Sequence, residues 1–137
     1  MKMQFIATVL STALVASAIR VSFDGGYDSA DRDLTLVSCS DGSNGLIQKG
    51  YAKQGNLPNF PLIGGASVIE KYNSPNCATC WTLTYGARSV TILAIDHADE
   101  GFNIAKAALD QLTDNQAEKL GAIDAEYVQV ENKQCGL

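Results

Sequence analysis

The sequence predicts a mainly β domain with short helices, closed as a barrel and held by two disulfides. Three observations carry that expectation. Cys39, Cys77, Cys80 and Cys135 stand behind a leader-like N-terminus, which places them in an oxidising compartment. Apolar and polar residues alternate from Cys80 to Tyr85, and the matching run Arg88 to Ile95 is apolar on both faces, the pattern of strands in the middle of a fold. Turn signals recur throughout while helical periodicity is confined to one stretch, which favours a barrel over a helical bundle.

The leader has Lys2, an apolar stretch from Phe5 to Ala16, and the small residues Ala16-Ser17-Ala18, the n-, h- and cleavage regions of a secretory signal. Ser11 and Thr12 interrupt the stretch, and it is shorter than the ~20 residues of a membrane-spanning helix. Cleavage is expected after Ala18, leaving residues 19–137 as one extracellular domain. Its nine basic residues face 15 acidic ones, for a net charge of −6. That balance disfavours nucleic acid and anionic membranes, which need a cationic surface. With 46% apolar residues the chain is not disordered.

Along the domain, Val21 to Asp33 reads as a polar segment rich in Asp and Gly, and Leu34 to Cys39 as a strand. Asp41-Gly42 and Asn44-Gly45 mark a loop. Residues Gly55 to Gly65, with Pro58, Pro61 and Gly64-Gly65, read as an ordered connection, and Ala66 to Tyr72 as a short helix. The clearest hairpin joins Cys80–Tyr85 to Arg88–Ile95 through Gly86-Ala87, with glycine at the first central position. The spacing of Phe102, Ala105 and Leu109 predicts a helix over Glu100 to Leu112. A second short helix follows, with Thr113 and Gln116 in capping-box register and Gly121 at its stop. Glu126 to Glu131 alternates as a last strand with Val128 and Val130 facing inward.

The Cys77-Ala78-Thr79-Cys80 pair is compatible with a redox dithiol, half of a zinc site or two ends of separate disulfides. Zinc needs further ligands, yet His97 is the chain's single histidine and Cys39 and Cys135 lack paired spacing. A redox motif opens a helix, whereas Cys80 opens a strand. Structural disulfides are therefore expected, with no metal and no cofactor. Strain disfavours bridging Cys77 to Cys80, and the two remaining pairings stay open on spacing alone.

Asp96 is the informative acid, because it ends an otherwise apolar strand and so lies where a buried barrel meets solvent. It could equally cap a following helix. Glycoside hydrolysis takes two carboxylates at a defined separation, and Asp28, Asp31, Asp33 and Asp41 lie in loops that could approach Asp96. Phe23, Tyr27, Tyr51, Phe60, Tyr72 and Phe102 could stack on sugar rings. No serine or cysteine is placed as a nucleophile, and no phosphate-cradling glycine loop or dinucleotide fingerprint occurs.

Five segments, CSDGSNGL at 39–46, LPNFPLIGGA at 57–66, NSPNCATCWTLTY at 73–85, ILAIDHADEGFNIA at 92–105 and QCGL at 134–137, resemble the cerato-platanin family of small secreted fungal proteins. The resemblance implies a six-stranded double-psi β-barrel related to expansin and barwin-like domains, and pairing of Cys39 with Cys77 and of Cys80 with Cys135. It implies binding of chitin or N-acetylglucosamine oligomers without catalysis, expansin-like loosening of cell-wall polysaccharide, self-association at surfaces, and elicitation of plant defence through a plant receptor. The family's groove acid falls on Asp96, the CSDGSNGL loop brings Asp41, Ser43 and Asn44 to the same face, and Tyr27 and Asp28 come from the N-terminal segment. Two other readings stand beside this one. A weak hydrolase or lytic transglycosylase using Asp96 would release new reducing ends or anhydro-sugars, and a surface-active structural protein would lower surface tension as it assembles.

Overall fold

The computed structural model describes residues 17–137. The leader, with its apolar stretch, lies outside the described residues, apart from Ser17 and Ala18. Six strands are present: β1 (Ala18–Phe23), β2 (Ile63–Ala66), β3 (Cys80–Tyr85), β4 (Arg88–His97), β5 (Phe102–Ile104) and β6 (Ala122–Val130), with two helices, α1 (Lys106–Thr113) and α2 (Ala117–Leu120). The strands close into a barrel in the order β1-β5-β2-β4-β3-β6. Closure removes the free edges through which an open sheet would pair with other chains. Parallel ladders join β1 to β5 and β2 to β4, and the other four are antiparallel.

The β3–β4 hairpin follows from its residues. Gly86 takes φ 60° at the turn, a conformation that costs glycine little, and Thr82 pairs with Thr91 with their hydroxyls 3.0 Å apart. Ile92, Leu93, Ala94 and Ile95 are all buried. They are covered on both sides because α1 packs its buried Ala108, Leu109 and Leu112 against β4.

β2 is built from glycine for a different reason. A Cβ on Gly64 would lie 2.5 Å from the Asn103 carbonyl oxygen, and one on Gly65 would lie 2.8 Å from the His97 carbonyl oxygen. Both are backbone atoms that cannot move aside. Only residues without side chains let β2 sit this close to β5 and β4.

Several sequence expectations are corrected. The first three residues of the polar segment, 21–23, belong to β1, which begins at Ala18 and buries Val21. Leu34 to Cys39 is not a strand: Asp33 accepts the Thr35 amide at 2.9 Å and bends Leu34–Leu36 into a 3-10 turn. Residues 66–72 form no helix. β2 ends at Ala66, and the chain turns, with the Asn76 side chain donating to the Val68 carbonyl at 2.9 Å. The connection between 55 and 65 ends in β2, and the predicted helix over 100–112 divides into β5 and α1. In β6 the buried residues are Ile123 and Ala125 and Val128 is 57% exposed, so of the two valines expected inward only Val130 packs, partly buried, against the core. Gly121, at φ 72°, does stop α2, but the expected capping box is not formed: Thr113 ends α1 and Gln116 is the N-cap of α2, its amide donating to the Thr113 hydroxyl at 3.2 Å.

The disulfides are Cys39–Cys77 and Cys80–Cys135, with sequence separations of 38 and 55. Loops of this size give roughly 4 kcal/mol each in the chain-entropy model, a large share of a typical domain stability of about 5–15 kcal/mol. The first ties the 39–46 loop to the segment entering β3. The second ties the start of β3 to the C-terminus.

Candidate functional site

Asp96 lies at the solvent end of β4 and is half-buried. Its Oδ1 accepts the backbone N–H groups of Ser38 and His97, each at 2.9 Å, and its Oδ2 accepts the Tyr27 hydroxyl at 2.8 Å. An ionised carboxylate offers about four acceptor directions, so three are used to fix its orientation and one is left for a ligand. No helix follows Asp96, so the capping alternative is replaced by these contacts.

Tyr27 is 4% exposed, with the Arg32 guanidinium 5.3 Å from its ring centroid. Burial, and then the Asp96 charge and hydrogen bond, push its phenol well above the ordinary tyrosine range. The hydroxyl therefore keeps its proton and remains a donor. Fully buried Gln54 positions this segment: its Nε2 donates to the carbonyls of Gly26 and Ser29 at 3.0 and 2.9 Å.

Register extends the site across the barrel. Gly65 is paired with both Asp96 and Asn103, and Asn103 with Ser22, so four adjacent strands contribute one level. The Ser22 hydroxyl donates to Asn103 Oδ1 at 3.1 Å. A Cβ at Gly65 would meet the Tyr27 hydroxyl at 3.3 Å, so the bare backbone there leaves room for the Tyr27–Asp96 bond. Alongside, a depression of about 330 Å³ is lined by Arg20, Ser22, Asn103, His97, Asp99 and Glu100.

The 39–46 loop leaves this surface directly, because the Cys39 amide donates to the Ile95 carbonyl at 3.1 Å. Asn73, at φ 56°, organises it. Its amide donates to the Ser38 carbonyl, its Oδ1 accepts the Asn44 amide at 2.8 Å, and its carbonyl accepts Asn44 Nδ2 at 3.1 Å. Asp41 accepts the hydroxyl of Tyr72, and Asp41, Ser43 and Tyr72 are exposed.

The structure thus joins Asp96 to Tyr27 directly and links Asn44 to Asp96 through Asn73 and the backbone of Ser38, while Asp41, on the same 39–46 loop as Asn44, bonds Tyr72. Asp28 points elsewhere: its two oxygens accept the amides of Lys106 and Ala107 at 2.7 and 2.9 Å, at the start of α1. Of the aromatic candidates, Tyr72 is exposed, Tyr27 and Phe102 are buried, and Phe23, Tyr51 and Phe60 are half-buried. Sequence reasoning missed Ser38, Gln54, Gly65, Asn73 and Asn103. Gly65 alone carried a signal, in its pairing with Gly64. Among the described residues no group of three or more His, Cys, Asp or Glu side chains could hold a metal, and no helix is long and apolar enough to cross a membrane.

Fold and site together define a class: a small six-stranded closed barrel, stapled by two disulfides, with an oriented carboxylate at the open end of a polar surface. The cerato-platanin family model matches residues 19–137, and the chain belongs to that family. It is 46% identical over 127 residues to the heat-stable 19 kDa antigen of Coccidioides posadasii (strain C735), covering 93% of this chain and 87% of that protein. Its fold is similar to the crystal structure of cerato-platanin 2 from M. perniciosa, with a TM-score of 0.85 and 44% identity over 88% of this chain and 100% of that one. It is also similar to the solution structure of the fungal elicitor Cerato-Platanin, with a TM-score of 0.77 and 36% identity over 85% and 95% of the two chains.

Proposed function

We propose that the protein is a secreted, non-catalytic cell-wall protein that binds chitin or N-acetylglucosamine oligomers along the surface from Asp41 and Asn44 past Asp96 toward Asn103. The observation that carries this reading is the Asp96 carboxylate, held by three donors with one acceptor direction free for a sugar hydroxyl or acetamide N–H. Tyr72, exposed beside Asp41, offers a ring face for stacking. Binding is weak, because each sugar hydroxyl exchanges a water bond for a protein bond and gains about 1 kcal/mol net. Expansin-like loosening follows where the protein competes for hydrogen bonds between polysaccharide chains, and defence elicitation follows from exposure of a wall-bound protein to a plant. The kinship to a protein described as a fungal elicitor supports the last part.

Titration of wild type and Asp96→Ala with chitin oligomers tests the proposal, with circular dichroism as the check on folding. A folded variant that no longer binds supports it, and unchanged affinity rejects it. Incubation of wild type with the same oligomers yields no new reducing ends or anhydro-sugars if binding is all that occurs.

A further inference from the structure

His97 is flanked by two groups that can only accept. Its Nδ1 lies 2.6 Å from the Ile69 carbonyl oxygen and its Nε2 lies 3.0 Å from Asp99 Oδ1. Both bonds require a proton on both ring nitrogens, which only the imidazolium has.

The two acceptors differ in what they lose on deprotonation. Ile69 is fully buried, so its carbonyl has few other partners, whereas the Asp99 side chain is fully exposed and readily solvated. Leaving a buried polar group unpaired costs more than releasing an exposed one. A neutral His97 therefore keeps its proton on Nδ1 and lets Asp99 go.

Asp99 belongs to the β4–β5 turn, residues 98–101. The turn's ends are tied to the end of β2, with the Ala98 amide donating to the Ala66 carbonyl at 3.3 Å and the Gly101 carbonyl accepting the Ser67 amide at 2.8 Å. Its middle is held by the His97 side chain. We propose that His97 and Asp99 form a pH-sensitive latch, closed when the imidazole is protonated, whose opening releases the middle of the β4–β5 turn beside the Asn103–Arg20 depression.

The charges around the ring agree with the geometry. Asp96 precedes His97 on β4, Asp99 and Glu100 lie on the turn, and Arg20 of β1 lines the same depression. Glu70 and Lys71 follow Ile69 on the packed loop and line a separate hollow with Ser74. The Ile69 carbonyl and then Asp99 favour the protonated ring and raise its proton affinity above the ordinary histidine value, against a smaller opposing effect of burial. The latch therefore closes as pH falls through the raised value and opens as it rises.

His97 is the single histidine of the chain, so its titration can be followed without ambiguity by ring and backbone NMR of the folded protein between pH 5 and 9. The latch predicts a midpoint above about 6.5, an Nδ1–H tautomer above it, and amide shifts at Asp99 and Glu100 that follow the same midpoint. Asp99→Asn lowers the midpoint, and His97→Gln abolishes the coupled shifts, which separates them from titration of the chain's amino terminus. A midpoint at or below the ordinary value, a neutral Nε2–H tautomer, turn amides that ignore the ring, or an unchanged midpoint in Asp99→Asn would each overturn the proposal.

Discussion

Tyr27 and Asp28 are neighbours in one 3-10 turn, yet they serve different structures: Tyr27 donates to Asp96 at the open end of β4, and Asp28 accepts two amides at the start of α1. The turn thereby couples the candidate sugar-binding surface to the helix that covers the back of β4. Ala105, at the N-cap position of α1, has no side chain able to cap, so Asp28, 78 positions before Lys106 in sequence, does so.

Replacing Asp28 separates those roles. Asp28→Ala removes a cap and a negative charge from the N-terminus of α1, and caps of this kind contribute about 1 kcal/mol. Chemical denaturation should show that loss while chitin-oligomer affinity stays close to wild type. Lost affinity at unchanged stability would instead make Asp28 a direct ligand.

Tyr27→Phe keeps the buried ring and deletes the donor to Asp96. The expected loss of stability is about 0.5–1.5 kcal/mol, with weaker sugar binding because the carboxylate loses one of three fixed partners. Alkaline absorbance titration gives a second readout. The last phenol of the wild type to ionise, well above pH 10, is missing from the variant.

How far the residues foretell the structure depends on how much side-chain pattern each element has. The β3–β4 hairpin is legible because six or more alternating or apolar residues flank a glycine turn. β2 is four residues long with glycine at its two central positions, so it has no alternation to read, and close backbone approach selects those glycines. β5 is three residues long and runs almost directly into α1, so Phe102, Ala105 and Leu109 mimic a single helical face. In β6 Val128 suggests an inward position that the barrel gives instead to Ile123 and Ala125, earlier in the strand. For the site, Asp96 is legible as a polar end to an apolar strand. Ser38 is not, since its contribution is a backbone amide, and neither is Asn73, whose role depends on its own left-handed backbone and on partners, Ser38 and Asn44, far away in sequence.

Gly65→Ala tests the packing of β2. Its Cβ would meet the His97 carbonyl oxygen at 2.8 Å and the Tyr27 hydroxyl at 3.3 Å, so strand spacing or the Tyr27–Asp96 bond must give. Overpacking of this kind costs about 1–3 kcal/mol, and sugar binding should weaken with it. Gly25→Ala, where a Cβ would meet nothing within 4 Å, is the control expected to leave both thermal stability and binding close to wild type.

Acid sensitivity should arise in part from Asp110, which joins the two helices. Its Oδ1 accepts the Ala117 amide at 3.0 Å, and its Oδ2 pairs with Lys106 Nζ at 3.1 Å. The Ala117 amide, and then Lys106, hold its carboxyl below the ordinary carboxylate range despite a smaller opposing effect of burial. A group whose folded-state pKa is lowered stabilises the protein above the unfolded value, near 3.9, and that contribution disappears as pH falls through the folded value. Asp110→Asn should therefore melt below wild type at pH 6, with the gap closing toward pH 2. Melting curves across that range decide the matter: a gap that stays constant to pH 2 would mean that packing of the side chain, and not its charge, joins α1 to α2.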